Sequence, residues 1–224
     1  MLTLTVLLMN YCFVCRNKTS QNKTICEGCK SLLSRFQFQC KVCATELQTD
    51  NDLCGHCQTV TPNFSEVLYA CKYESLASDW VLSLKFGQNI AVTKLMAELL
   101  LPELNKIDKE YVLLPVPLHQ SRLIKRGYNQ AYEIALELSR LSNRKLFNSL
   151  RRSKKTQMQA QLKLNQRGIN VKGAFSVTKE LKHSKIILVD DVMTSGYTIN
   201  ECAKTLKIAG ASDVKVLVFA RKSL

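Results

Sequence analysis

The stretch that determines the fold of most of this chain is IILVDDVMTSGYT, residues 186–198. Its first four residues form an unbroken apolar run, which is typical of a parallel strand buried on both faces. Two carboxylates, Asp190 and Asp191, follow at the carboxyl end of that strand, where α/β proteins bind ligands. A hydroxyl-rich turn then leads into a helix, so this segment predicts a strand–turn–helix unit with a ligand at its edge.

The turn has the composition of an anion-binding loop. Thr194, Ser195 and Thr198 offer hydroxyl donors, Gly196 allows close backbone approach, and the helix start offers unpaired N–H groups. The two preceding carboxylates would repel a phosphate unless they bind another group, such as sugar hydroxyls or a metal ion. A plain strand end followed by a capped helix is the alternative, and the paired Asp residues with a complete loop argue against it.

Outward from this unit, strand and helix patterns alternate along the chain. Strands are predicted at 67–73, 111–116 and 214–219, and helices at 76–84, 92–104, 129–141 and from Ile199 onward. This alternation predicts an α/β fold with a mainly parallel sheet over residues 65–224. The segment 58–64 is predicted to link it to a cysteine-rich module over residues 1–60.

Charge is distributed unevenly within a net charge of +14. Residues 122–172 contain thirteen Lys or Arg against two acids. This concentration favours a polyanionic partner, either a phosphorylated small molecule, nucleic acid or both, over a basic surface that serves only solubility.

The composition is that of a globular protein, with 46% hydrophobic and 22% charged residues. No apolar run reaches the roughly 18 residues of a membrane helix. The apolar start, residues 1–9, lacks a basic region and a small-residue cleavage site, so no signal peptide is expected. These features lead us to expect a cytoplasmic protein.

Eight of the ten cysteines form four CxxC pairs with ten residues between consecutive pairs. Two such pairs complete a tetrahedral sulfur site, so eight ligands predict two structural zinc ions. The ligands would be Cys12, Cys15, Cys26, Cys29, Cys40, Cys43, Cys54 and Cys57. Sequential zinc ribbons and a cross-braced pairing both fit the spacing, with the sequential one favoured. A disulfide framework or a redox role fits less well.

Residues 186–198 resemble the phosphoribosyl-pyrophosphate signature of type I phosphoribosyltransferases. The resemblance implies that Asp190 and Asp191 act as the catalytic pair and hold the ribose 2′- and 3′-hydroxyls. It also implies a 5′-phosphate cradle, formed by Thr194, Ser195, Gly196, Tyr197 and Thr198. The expected fold is therefore the type I phosphoribosyltransferase-like α/β fold with a mainly parallel sheet, preceded by a small double zinc-ribbon module with four cysteine ligands per site.

A second set of motifs resembles the ComF family, the ComFC- and GntX-like competence proteins. It comprises LPVPLH at 114–119, RL at 122–123 and RGYNQA at 126–131, together with KFG at 85–87 and residues 156–175 downstream. By this resemblance residues 116–126 would form a pyrophosphate-binding loop, with Arg122 and Arg126 as anion contacts. His119 would either be a further contact or a loop histidine whose hydrogen bonds are satisfied within the loop. Residues 151–167 would form either a mobile loop over the site or a basic loop that is simply exposed to solvent.

The resemblance implies a bacterial protein that binds phosphoribosyl pyrophosphate with Mg²⁺, binds single-stranded DNA and assists DNA uptake, natural transformation or DNA utilisation. Its partners would include proteins of the DNA-uptake machinery. An active phosphoribosyltransferase, transferring a pentosyl group to an unidentified acceptor, is the alternative. A third hypothesis is an adaptor in which the ligand alters docking of a partner through the zinc module.

Overall fold

The computed structural model describes residues 11–20, 23–87, 89–154, 171–182 and 184–223. The described helices are α1 (Glu27–Lys30), α2 (Gly55–Thr59), α3 (Ser75–Phe86), α4 (Val92–Leu104), α5 (Gln120–Arg126), α6 (Gln130–Ser142) and α7 (Tyr197–Ile208). The described strands are β1 (Phe38–Gln39), β2 (Glu46–Leu47), β3 (Glu66–Lys72), β4 (Val112–Pro115), β5 (Leu150–Arg152), β6 (Phe175–Val177), β7 (Lys185–Met193) and β8 (Asp213–Arg221).

The central sheet has four parallel strands in the order β3-β8-β7-β4. Leu188 of β7 lies between Leu114 of β4 and Val216 of β8. The pairs β1–β2 and β5–β6 are separate antiparallel two-stranded sheets. The predicted α/β architecture with a mainly parallel sheet is confirmed.

The sheet is covered on both faces, which explains the unbroken apolar run in β7. Side chains alternate across a strand, so Ile187 and Val189 belong to the core cluster that includes residues of α3, α4 and α6. Ile186 and Leu188 belong to the second cluster, with α7. A strand buried on both sides needs apolar residues at successive positions, because neither face meets water.

One predicted loop contains a helix. We expected residues 116–126 to be a loop, but residues 120–126 form α5. The His119 side chain accepts a hydrogen bond from the Ser121 N–H and so caps the first turn. Gly127 ends the helix at φ +87°, a left-handed conformation that glycine adopts without steric cost.

The cysteine-rich module packs directly on the sheet. Cys12 and Cys29 join the cluster with α3 and α4, whereas Cys40 and Cys57 join the cluster with α7. Arg35 connects the module to the sheet by donating to the carbonyl oxygen of Tyr69 at 2.7 Å. Across the described ranges, none of the helices has both the length and the apolar character to cross a membrane.

Candidate functional site

The two aspartates lie within β7, near its carboxyl end, because the strand continues beyond them to Met193. The Oδ1 atom of Asp190 accepts a hydrogen bond from the Asp191 N–H, and that of Asp191 accepts one from the Val192 N–H, both at 2.9 Å. Burial, and then the charge of Asp191, raise the pKa of Asp190 well above its usual value. The site therefore disfavours a negative charge on Asp190 unless a cation or a ligand offsets it.

Lys85, near the end of α3, supplies positive charge next to the two aspartates. Its Nζ lies 2.8 Å from Oδ2 of Asp191. Burial alone would lower the pKa of Lys85, but the charge and hydrogen bond of Asp191, with the charge of Asp190, raise it overall. The sequence assigned this lysine no role. Its only signal there is its place in the KFG motif, at the end of a predicted helix.

The predicted phosphate loop connects β7 to α7. Gly196 is the N-terminal cap of α7 at φ +78°, and a Cβ atom there would lie 2.6 Å from Cε of Met193. This position favours glycine for its left-handed conformation, whereas the Met193 contact is with the end of a flexible side chain that can move. The first turn of α7 presents N–H groups that no helical carbonyl can satisfy, which favours an anion there.

The loop residues do not all face the same space. Thr194, Gly196 and Thr198 line one cavity of about 410 Å³ together with both aspartates. Tyr197 borders a separate depression beside Lys172 and Lys204. Within the described part of the chain, the hydroxyl of Ser195 is buried without a hydrogen-bond partner. A phosphate contact by Ser195 or Tyr197 through the backbone stays a prediction.

Three arginines line the same cavity: Arg122 and Arg126 from α5, and Arg152 from β5. Burial and the neighbouring charge of Arg126 lower the pKa of Arg122. Burial and the charge of Arg122 lower that of Arg152. These arginines therefore form a cluster of like charge, suited to an anion because each guanidinium can bind two oxygens.

His119 has a structural contact and does not line the cavity. Its Nδ1 lies 2.8 Å from Oγ of Ser121, in the cap of α5. Its backbone also forms a bridge to Arg152, which brings β5 beside α5. Its predicted pyrophosphate contact stays a prediction. Residues 155–167 of the predicted mobile loop lie outside the described residues.

Several cavity residues had no role assigned from the sequence. Arg152 lay within the predicted mobile loop, and Phe86 follows Lys85 in the KFG motif. Tyr73 and Lys222 directly follow the neighbouring strands β3 and β8, a relation visible only once the strands are paired. The cavity volume is within the usual range of small-molecule sites.

The eight CxxC cysteines form two groups in sequential order, Cys12/15/26/29 and Cys40/43/54/57. Within each group the four sulfur atoms all lie within 4.8 Å of one another. The Sγ atoms of Cys15 and Cys26 are 3.7 Å apart, and those of Cys43 and Cys54 are 3.6 Å apart. Sulfurs at the usual zinc distance of about 2.3 Å in a tetrahedron are about 3.8 Å apart. The residues present fit zinc, and the sequential pairing is the one found.

The protonation of these thiols also fits metal ligands. Burial works against ionisation of Cys12, but the backbone N–H groups of Cys15 and Cys26 lower its pKa to about 6. Cys40 has a pKa of about 7, because backbone N–H groups outweigh burial there too. Each group thus holds one thiol that ionises near neutral pH, and a zinc ion favours ionisation of the others. Sites with four sulfur ligands leave no open position, so these are structural sites.

Comparison with known proteins agrees with both parts of the chain. Residues 3–59 match the double zinc ribbon domain family, and residues 123–223 match the phosphoribosyl transferase domain family. A purine phosphoribosyltransferase structure from Pyrococcus horikoshii covers 58% of this chain and 80% of its own, at 14% identity and a TM-score of 0.36. That structural likeness is too distant to carry an argument.

Curated relatives align over nearly the whole chain. Competence protein F of Haemophilus influenzae is 31% identical over 96% of this chain and 100% of its own length. The DNA utilization protein YhgH of Escherichia coli K12 is 30% identical over 94% of this chain and 89% of its own. With the zinc ribbons and the phosphoribosyltransferase domain in the same order, this chain belongs to the ComF family of competence and DNA-utilization proteins.

Proposed function

We propose that this protein binds phosphoribosyl pyrophosphate with Mg²⁺, binds single-stranded DNA and serves DNA uptake or DNA utilisation. The observation that carries the proposal is one cavity lined by two carboxylates, the start of α7 and three arginines. A sugar with phosphate groups at both ends carries chemical groups that these residues can bind: hydroxyls for the carboxylates and phosphates for the helix start and the arginines. The competence and DNA-utilization roles in the names of its relatives support the biological part.

The ligand's groups would be divided among the residues as follows. Ribose hydroxyls donate hydrogen bonds to Asp190 and Asp191, which as carboxylates only accept. The 5′-phosphate lies at the start of α7, against the hydroxyls of Thr194 and Thr198. The pyrophosphate lies toward the α5 arginines. When bound, Mg²⁺ neutralises part of the pyrophosphate charge.

The test is isothermal titration of Mg²⁺ and phosphoribosyl pyrophosphate into the zinc-loaded protein and the Asp190→Ala/Asp191→Ala variant. Hydrogen bonds to charged groups contribute roughly 1.5–3 kcal/mol each, so losing both should weaken binding by at least about 100-fold. Asp79→Ala, which removes an exposed carboxylate from α3, is the control. Equal affinity of wild type and the double variant would contradict the proposed ribose site.

Single-stranded DNA binding has a specific structural candidate in Phe86. The residue is 70% exposed although it lines the cavity, and the guanidinium carbon of Arg126 lies 5.8 Å from the centre of its ring. Exposed aromatic rings beside basic groups are the elements that bind single strands, the ring by stacking on a base and the cations by contacting phosphates. We therefore place the DNA strand at the mouth of this cavity.

Fluorescence anisotropy with a labelled single-stranded oligonucleotide tests this placement. Stacking on an aromatic ring is worth about 1–3 kcal/mol per base, so Phe86→Ala should weaken binding by about 5- to 150-fold. Ile208→Ala, an exposed apolar residue on α7, should bind DNA like wild type. Affinity should fall steeply with salt, since phosphate contacts release counterions. DNA affinity that is unchanged in Phe86→Ala would refute this location.

An active phosphoribosyltransferase is the second candidate, favoured by the match of residues 123–223 to that domain family. Release of pyrophosphate from phosphoribosyl pyrophosphate only when a nucleobase, an amine or DNA is added would support it. Binding of both ligands without pyrophosphate release would support the first candidate.

A further inference from the structure

Arg221, the last residue of β8, joins the zinc module to the phosphate loop. It is buried, and its guanidinium reaches oxygen atoms on both sides. On the module side, Nε donates to the carbonyl oxygen of Cys43 at 3.0 Å and Nη2 to Oγ1 of Thr45 at 3.1 Å. On the loop side, Nη1 lies 3.1 Å from the carbonyl oxygen of Met193 and 2.5 Å from that of Thr194.

The two sides belong to the two parts predicted from the sequence, the cysteine-rich module and the α/β domain. Cys43 is a ligand of the second cysteine group, residues 40, 43, 54 and 57. Met193 ends β7, and Thr194 begins the loop that lines the cavity. The same guanidinium thus fixes the position of a zinc ligand and the path of the backbone into the phosphate loop.

The charge of Arg221 also fits the second zinc site. Four thiolates around one Zn²⁺ carry a net charge of −2, and a buried cation beside them offsets part of it. Among the described residues, the oxygen atoms that accept from Arg221 are uncharged carbonyl or hydroxyl groups. With zinc bound, the net negative charge of the second site stabilises the buried Arg221. The same site provides two of its hydrogen-bond acceptors, on Cys43 and Thr45.

The first cysteine group is connected differently. Thr24, between its ligands, donates from its N–H and its hydroxyl to Oε2 of Glu98 on α4, at 2.9 and 2.7 Å. Arg35 binds the carbonyl oxygen of Tyr69 and the carboxylate of Glu103. These contacts hold the module against α4 and β3 and do not involve residues 193–198.

We propose that the second zinc site supports the phosphate loop through Arg221, so that ligand binding depends on zinc at the second site and not at the first. The inference about affinity rests on the proposed function, whereas the inference about loop order does not. Loss of the second zinc frees Cys43 and Thr45, and Arg221 then loses the acceptors that hold it against Met193 and Thr194.

The experiment compares four variants matched in pairs. Arg221→Met and Cys57→Ser break the connection at the arginine and at the second zinc. Arg35→Met and Cys29→Ser remove an arginine and a zinc ligand from the other connection. Zinc content is measured for each purified protein, and hydrogen exchange of the peptide spanning residues 193–198 is followed by mass spectrometry. Titration with Mg²⁺ and phosphoribosyl pyrophosphate follows.

We expect faster exchange across residues 193–198 in Arg221→Met and Cys57→Ser, together with at least about tenfold weaker ligand binding, because several hydrogen bonds of a charged group are lost. Arg35→Met and Cys29→Ser should keep wild-type exchange in this peptide. Thr45→Val removes one acceptor and leaves the arginine and all zinc ligands in place. It should show a smaller increase in exchange and serves if the larger changes prevent folding.

Two results would overturn the proposal: wild-type exchange of the loop in Arg221→Met and Thr45→Val, or equal loop exchange in Cys29→Ser and Cys57→Ser. If wild type does not bind phosphoribosyl pyrophosphate, the proposed function fails, and the exchange data still decide whether the second zinc site orders the loop.

Discussion

Replacing Lys85 by methionine tests how much the ion pair between Lys85 and Asp191 contributes to the free energy of unfolding. The lysine is 28% exposed and its partner Asp191 is 8% exposed, with 2.8 Å between Nζ and Oδ2. Removing one partner of a buried pair costs about 3–5 kcal/mol, because the other charge is left without compensation. Since Lys85 keeps some contact with water, we expect the lower end, about 3 kcal/mol.

Lys215→Met is a matched control. Lys215 is 24% exposed and lies 2.7 Å from Oε2 of Glu66, but that carboxylate is 40% exposed. Water can solvate Glu66 after the change, so the cost should stay within the roughly 0.2–1 kcal/mol of surface pairs. Both variants lose one positive charge, so the difference of about 2 kcal/mol reports the burial of the remaining carboxylate.

Urea denaturation of the zinc-loaded proteins, followed by fluorescence of Trp80, measures both variants. Trp80 is the single tryptophan of the chain and is buried in α3, the helix that carries Lys85. Adding Asp191→Asn to Lys85→Met removes the uncompensated charge and should recover part of the lost stability. Equal losses in Lys85→Met and Lys215→Met, with no recovery in the double variant, would refute this reasoning.

Two further changes probe the same site. Burial and the charge of Asp191 raise the pKa of Asp190, so the folded state binds this proton more tightly than the unfolded state does. The carboxyl therefore lowers the stability of the fold increasingly as the pH rises from the ordinary pKa of 3.8 toward the raised pKa. Asp190→Asn should therefore melt at a higher temperature than wild type near neutral pH, with an advantage that shrinks on acidification. Thermal melts across this pH range check it, and an advantage that grows toward low pH would contradict it. Gly196→Ala puts a side chain at φ +78°, and this left-handed conformation should cost about 1–2 kcal/mol and weaken phosphate binding about tenfold, whereas the flexible end of Met193 can move away from the added methyl group. Gly210→Ala, at φ +98° outside the cavity lining, should lose stability by denaturation but keep ligand affinity, and equal affinity losses in the two would exclude a specific role of the loop.

Local patterns were sufficient for the elements and for the zinc ligands. The apolar run at 186–189 predicted a strand buried on both faces, and β7 is such a strand. The run itself indicates burial on both faces, and the rest of the chain decides only which helices cover each face. CxxC spacing predicted the ligands, since two thiols in one turn reach one metal. The choice between sequential and cross-braced groups depended on how the module folds, and the structure decided it.

The sequence was insufficient where the same local residues are compatible with two different structures or roles. Residues 116–126 have no apolar periodicity of a helix, yet His119 and Gly127 supply a cap and a stop for α5. His119 was expected either to contact the ligand or to be satisfied within its loop, and its imidazole lies in that cap, while the ligand contact stays a prediction. The ligand roles of the arginines and aspartates remain predictions that the cavity makes testable.

The sequence by itself determined the α/β class, the parallel sheet, the zinc ligands and the family, because each depends on short-range periodicity, on spacing or on contiguous motifs. Only the tertiary structure decided which distant groups share a site. Lys85 meets Asp191, and Arg221 meets Cys43, 178 residues earlier in the chain, because strand order and helix packing bring them together. No local pattern encodes such a meeting, since it depends on how the whole chain closes around the sheet.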